Sequence, residues 1–240
     1  MSQMDVEQPV TPIQNEKFLP NIAADPVYAK TWVETNVMPH VDTTFFTCIC
    51  AGNEVIPGDL ANYVLPAMKK LDAALKAVGR KIHVSTVVPS NVLGTSYPPS
   101  AGEFSAATAP VMEAIVAFLE AESYPLLVNV YPYFAYLDSP VDISLDYALF
   151  NSNKVVVKDG ELGYKNLFLS MVDAVYAAVE KAGGSTVRIV VSETGWPSAG
   201  GDGVAATIDN ARMYNINLIS HSGTPRRPGE NLETYIFAFV

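Results

Sequence analysis

Residues 191–198 read VSETGWPS: a run of β-branched residues, TVRIVVS (186–192), gives way at once to a carboxylate, Glu193, then to Gly195 and Trp196. A short apolar run bounded by turn residues reads as a strand buried on both faces, so Glu193 stands at the strand's C-terminal end. Four more runs have this character: TTFFTCIC (43–50), KIHVSTVV (81–88), LLVNVY (126–131) and ETYIFAFV (233–240). Longer helical patterns separate them. Asp25 and Pro26 open one as cap and first residue, and another starts at Asp59 and stops at Gly79, with Pro66 inside it predicting a kink or a later start. Pro110 starts a third, YKNLFLSMVDAVYAAVEKAGG (164–184) ends a fourth in glycines, and VAATIDNARMYNINLISHS (204–222) precedes the last strand. Alternating β and α units predict a parallel sheet of the α/β class.

One segment departs from this rhythm. Between NVYPYF and the helix at Tyr164, KVVVKDGELGY (154–164) predicts a small hairpin turned at Asp159-Gly160. An insertion after a strand end belongs to the face where α/β proteins bind ligands.

Composition narrows the functional classes. With 15 basic and 25 acidic residues among 240, the net charge of −10 argues against a phosphate-backbone partner and against an anionic membrane surface. No apolar run reaches the roughly 18 residues that span a bilayer. The 49% hydrophobic content suits a single domain over 1–240. The first residues carry no basic-then-apolar leader, so the chain alone predicts an intracellular protein. Cys48 and Cys50, two apart on one strand face, are poorly placed to bridge and read as buried thiols. His40, His83 and His221 lack partners at ligand spacing, which leaves no metal site, and no cofactor is implied. GDGVAA (201–206) has a Gly-x-Gly-x-x-Ala form and precedes a helix, but it begins eight residues after Glu193 and no acid at the end of a second strand follows about twenty residues on, as a dinucleotide site needs. Arg226 and Arg227, in a proline-rich turn, read as a solvated pair.

Polar residues gather at the strand ends: Asn53 and Glu54 after the first run, Tyr131, Tyr133, Phe134 and Tyr136 after the third, Glu193 and Trp196 after the fourth. Only the fold can join Glu54 to Glu193, since they lie 139 positions apart. Two carboxylates at one barrel mouth suit hydrolysis of a glycosidic bond, one as proton donor and one ionised to attack the anomeric carbon. Tyr and Trp faces suit a pyranose ring. Taken singly, each glutamate also reads as a solvated or ion-paired end group, and the aromatic residues as packing.

Together AGNEV (51–55), GTSYPPSAGEF (94–104), NVYPYFAY (129–136), GYKNLF (163–168), VSETGWPSAGG (191–201) and GTPRRPG (223–229) resemble the plant β-1,3-glucanases, glycoside hydrolase family 17. The resemblance runs from about Asn15 to Val240. It implies a (β/α)8 TIM-barrel fold and retaining cleavage of internal β-1,3 bonds in a β-glucan polysaccharide by a monomer. In this sequence it implies Glu193 as nucleophile and Glu54 as acid/base. It further implies Asn53 on the sugar's 2-hydroxyl, with Tyr133, Phe134 and Trp196 lining the cleft. An extracellular or vacuolar location, and a role in cell-wall carbohydrate metabolism and plant defence, go with it. By comparison with the family, the first two strands, most of the third and the closing C-terminal helix are expected to be absent, with PIQNEKF (12–18) as a strand remnant. Leu169, where the family has an aspartate, is expected to affect a helix start. A truncated, catalytically silent relative that at most binds glucan is the alternative, and the choice between β-1,3 and mixed-linkage glucan stays open.

Overall fold

A computed structural model describes residues 10–13, 15–201, 203–220 and 223–238. In chain order the elements are β1 (Val10–Pro12), α1 (Asn15–Ala24), α2 (Pro26–Asn36), β2 (Cys48–Asn53), α3 (Ala61–Ala77), β3 (His83–Pro89), β4 (Leu93–Thr95), β5 (Glu103–Phe104), α4 (Ala109–Glu122), β6 (Leu126–Asn129), α5 (Pro132–Asp138), α6 (Leu145–Ala148), β7 (Val157–Asp159), β8 (Leu162–Tyr164), α7 (Leu167–Lys181), β9 (Ile189–Thr194), α8 (Ile208–Ile219) and β10 (Thr234–Ile236). They form two compact units. The first holds residues 1–88, 107–127 and 186–188, and the second holds 89–106, 128–185 and 189–240.

In the first unit β1, β2 and β3 run parallel in that order, followed by the start of β6. The register is set by Val10 opposite Cys48 and Cys48 opposite His83. β2 is buried along almost its whole length, as a parallel strand covered on both faces must be. It begins at Cys48 rather than Thr43. The amides of Thr43 and Thr44 bond to His40 O instead, closing a turn after a 3-10 segment and leaving no ladder there. The remnant strand expected at PIQNEKF lies earlier, at Val10–Pro12, and the rest of that stretch starts α1, whose C-terminal Ala23 carbonyl accepts from Lys70 Nζ at 2.6 Å.

Helix α2 starts as its sequence predicts: Pro26 follows Asp25, whose carboxylate accepts from Val27 N at 2.8 Å. α3 starts two residues after Asp59 and runs on through Pro66, which stands near its start on the exposed side. Its other face buries Val64, Met68, Leu71 and Leu75. Cys48 and Cys50 are both buried and unbridged, with Sγ atoms 3.9 Å apart. The hydrogen bond with Cys48, together with burial, pushes the Cys50 thiol well up, so Cys50 stays protonated.

In the second unit the end of β6 is followed by β9 and then β10, parallel to β9. β4 and β5 pair antiparallel, as do β7 and β8. The β7–β8 turn is Gly160-Glu161, one residue later than the sequence suggests, and Gly160 takes the positive φ of 60° that the turn requires. Asp159 instead holds the turn in place, its carboxylate accepting from Ser100 N at 2.6 Å and Ser100 Oγ at 2.7 Å.

Helix α7 is apolar nearly all round and buried along most of its length, the pattern of a helix packed on every side. Asn166 caps it, accepting from Leu169 N at 2.9 Å, so Leu169 does occupy the helix's first turn. Gly102 sits against it so closely that a Cβ would fall 2.0 Å from Ala174 O. The pair Arg226 and Arg227 is not solvated. Both guanidinium groups bond to the Glu180 carboxylate near the end of α7, and Arg227 also lies over the Tyr176 ring. Burial works to raise the Glu180 carboxyl, but the two arginines outweigh it and hold it below the usual range. The proline-rich turn is thus an ion-paired strap on α7.

Candidate active site

Glu193 is the fifth residue of β9, and strand alternation decides what surrounds it. Its neighbour Thr194 is fully buried and shares a hydrogen bond with Tyr214 of α8, at 2.5 Å. Glu193 points to the opposite face and is half-buried. Its carbonyl accepts from Val130 N at 2.9 Å, and the Thr194 carbonyl accepts from Phe237 N at 2.8 Å. Gly195 follows because nothing larger fits: a Cβ there would lie 2.1 Å from Phe237 O.

The Glu193 carboxylate has a specific partner. Tyr131, the residue that leads into α5, donates its hydroxyl hydrogen to Glu193 Oε2 at 2.9 Å. A donor aimed at an ionised carboxylate makes one of the stronger hydrogen bonds in proteins, and it fixes the oxygen's position. Tyr131 also packs edge-on against Phe134, whose ring meets that of Tyr133, and Tyr133 stands edge-on to Trp196 with centroids 5.2 Å apart. The Trp196 indole donates to Ala205 O at 2.8 Å, and Asn210 Nδ2 bonds the same carbonyl at 2.8 Å. Ala205, within the stretch of Gly-x-Gly-x-x-Ala form, thus brackets Trp196.

The second unit thus brings together Glu193, Tyr133, Phe134 and Trp196. Burial separates the aromatic residues: Tyr133 and Trp196 keep only 7% and 6% of their surface exposed, whereas Phe134 keeps 58%. The partnership of Tyr131 with Glu193 is not visible in the sequence, where the two lie 62 positions apart and share no motif.

Asn53 and Glu54 belong to the first unit. The β2–β3 register shifts between Cys50 and Asn53, a bulge at Gly52, whose φ is 87°. Glu54 follows with φ 55°, left-handed in a non-glycine residue, while its amide bonds to Val87 O at 2.9 Å. Strain of this kind is often kept where a side chain must be aimed. Glu54 is exposed and Asn53 half-buried. Among the described residues, no three His, Cys, Asp or Glu side chains form a group that could hold a metal ion.

A strand-end carboxylate held by a phenol among aromatic rings is an arrangement fit for sugar chemistry, and the comparisons with known proteins agree. The profile of the glycosyl hydrolases family 17 matches residues 5–240. The chain belongs to glycosyl hydrolases family 17.

Relatives within this family are similar along nearly the whole chain. A glucan endo-1,3-beta-glucosidase of Vitis vinifera is 50% identical over 228 residues, covering 92% of this chain and 65% of its own length. Lichenase-2 of Hordeum vulgare is 48% identical over 223 residues, covering 92% of this chain and 70% of its own. The chain therefore spans about two thirds of the length of these family 17 proteins. A solved structure from a study of two plant beta-glucan endohydrolases with distinct substrate specificities superposes with a TM-score of 0.89 at 46% identity, covering 95% of this chain and 73% of that one. The fold class is α/β of the (β/α)8 TIM-barrel type. No helix among the described residues is long and apolar enough to cross a membrane.

Proposed function

We propose that this family 17 chain hydrolyses internal β-1,3-glucosidic bonds of β-glucan with retention of anomeric configuration. The observation that carries the reading is the Glu193 carboxylate, set at a strand end and held at Oε2 by Tyr131. Glu193 is the nucleophile. It attacks the anomeric carbon and forms a glycosyl-enzyme ester as the bond to the leaving oxygen breaks. Glu54 is the acid/base: it gives that oxygen a proton, then takes one from the water that opens the ester, which restores both carboxyl groups. Asn53 binds the sugar's 2-hydroxyl, where bonds strengthen in the transition state. Phe134 offers an open ring face to the glucan, and Tyr133, edge-on to both Phe134 and Trp196, lines the cleft with them.

On this reading residues 1–240 make up one partial glycoside hydrolase barrel domain that acts as a monomer, in the extracellular space or the vacuole. The test is reducing-sugar release from a linear β-1,3-glucan, with a mixed-linkage glucan run in parallel. Release by the wild type, abolished by Glu193→Gln, is expected. Equal release by both proteins refutes the nucleophile, and glucan binding without turnover makes the chain a binding relative instead.

A further inference from the structure

Tyr214 lies on α8, away from the face that carries the Glu193 carboxylate, yet three observations tie it to that residue. It is completely buried, and its hydroxyl hydrogen-bonds to Thr194 Oγ1, one residue past Glu193. Its ring lies tilted against Trp196, centroids 5.6 Å apart, and edge-on to Phe150 at 5.3 Å. Burial also pushes the phenol far up, so it stays a neutral hydrogen-bonding group.

The peptide group between Glu193 and Thr194 belongs to both residues. The neighbouring strands hold its carbonyl and the one that follows, through Val130 N and Phe237 N. Both bonds lie in the plane of the sheet. Neither resists a tilt of the strand tip out of that plane, and the Tyr214 to Thr194 bond runs in the missing direction, toward the helix layer.

We propose that Tyr214 is a positioning residue for Glu193, acting through the Thr194 hydroxyl to fix the height of the β9 tip. The inference rests on Glu193 being the nucleophile, and it concerns a residue that does not touch substrate. Tyr214→Phe removes only the hydroxyl and keeps the ring against Trp196 and Phe150. Thr194→Val removes the other end of the same bond, while Thr194→Ser retains it.

Displacement of a reacting group by a fraction of an ångström to an ångström costs up to about 100-fold. Tyr214→Phe and Thr194→Val are each expected to lower kcat on β-1,3-glucan about tenfold, with KM within about twofold. The double variant should be no worse than either single one, because both cut one bond. Thr194→Ser should keep wild-type kcat, which a loss through general packing would not allow.

Crystal structures of the wild type and Tyr214→Phe give a readout that needs no turnover. Loss of the single Glu193 conformer, or of its contact with Tyr131, is expected. A Glu193 carboxylate unmoved in Tyr214→Phe overturns the inference, as does an unchanged kcat. If the wild type proves inactive, the catalytic reading fails alone, and the Glu193 position in the two crystals still decides what Tyr214 holds.

Discussion

Tyr131 and Glu193 meet through a hydrogen bond of 2.9 Å, phenol to carboxylate, joining the start of α5, two residues past β6, to the end of β9. Such a charge-assisted bond contributes about 1.5–3 kcal/mol. Tyr131→Phe keeps the ring against Phe134 and loses only the donor, so kcat/KM on β-1,3-glucan should fall roughly 10- to 100-fold. Initial-rate kinetics check it, and wild-type kcat/KM in this variant would remove Tyr131 from the site.

The two glutamates have different proposed duties, which leaving-group chemistry separates. A proton donor matters for a sugar leaving group and little for a dinitrophenolate, which departs unaided. Glu54→Gln should lose most activity on glucan, about 1,000-fold, yet still release a burst of dinitrophenolate from an activated laminari-oligosaccharide. Glu193→Gln should give no burst with either substrate. A burst from the Glu193 variant and none from the Glu54 variant reverses the assignment.

Gly195 has no room for a methyl group, with Phe237 O 2.1 Å from where a Cβ would stand. Gly195→Ala must push β10 away from β9 or twist the β9 tip. A loss of about 3 kcal/mol follows, or roughly 6–12 °C in melting temperature for a chain of this size. Differential scanning calorimetry reads it, and a wild-type melt would mean that β10 gives way freely.

Glu180 predicts the acid side of the stability curve. Its carboxyl titrates below the usual range in the folded chain, because Arg226 and Arg227 outweigh burial. A carboxyl lowered by folding adds stability that is fully present above its unfolded pKa and lost as pH falls through the folded one. Glu180→Gln should cost about 1–2 kcal/mol at pH 7, given the partly exposed pair, and less at pH 2, where more of the folded-state carboxyl is protonated. Urea melts at the two pH values check the difference, and an equal loss at both would assign the effect to packing.

The fold was legible where local chemistry and periodicity agreed. Asp25 with Pro26 marked α2, and the apolar spacing of α3, α4 and α7 marked those helices. α5 was not legible, since seven residues beginning at Pro132 are too short for a helical period and show only as aromatic residues after a strand end. α1 was hidden in the same way by Pro20 within it. The start of β2 was misjudged because Thr43 and Thr44 have strand-like side chains but spend their amides on His40. At the site, Glu54 and Glu193 could be named from their place after apolar runs. Tyr131, Tyr214 and the Arg226–Arg227 strap could not, because each is defined by a partner 20 to 62 positions away. No one-dimensional pattern specifies such partners.

Strand neighbours claim the carbonyls of Glu193 and Thr194 one after the other, and a phenol claims the Glu193 carboxylate. Sliding of the strand tip within the sheet plane is therefore closed off, and the side chain keeps few torsional choices. Its freedom is surrendered once, when the chain folds, so an arriving ligand would not have to freeze that carboxylate again at every encounter.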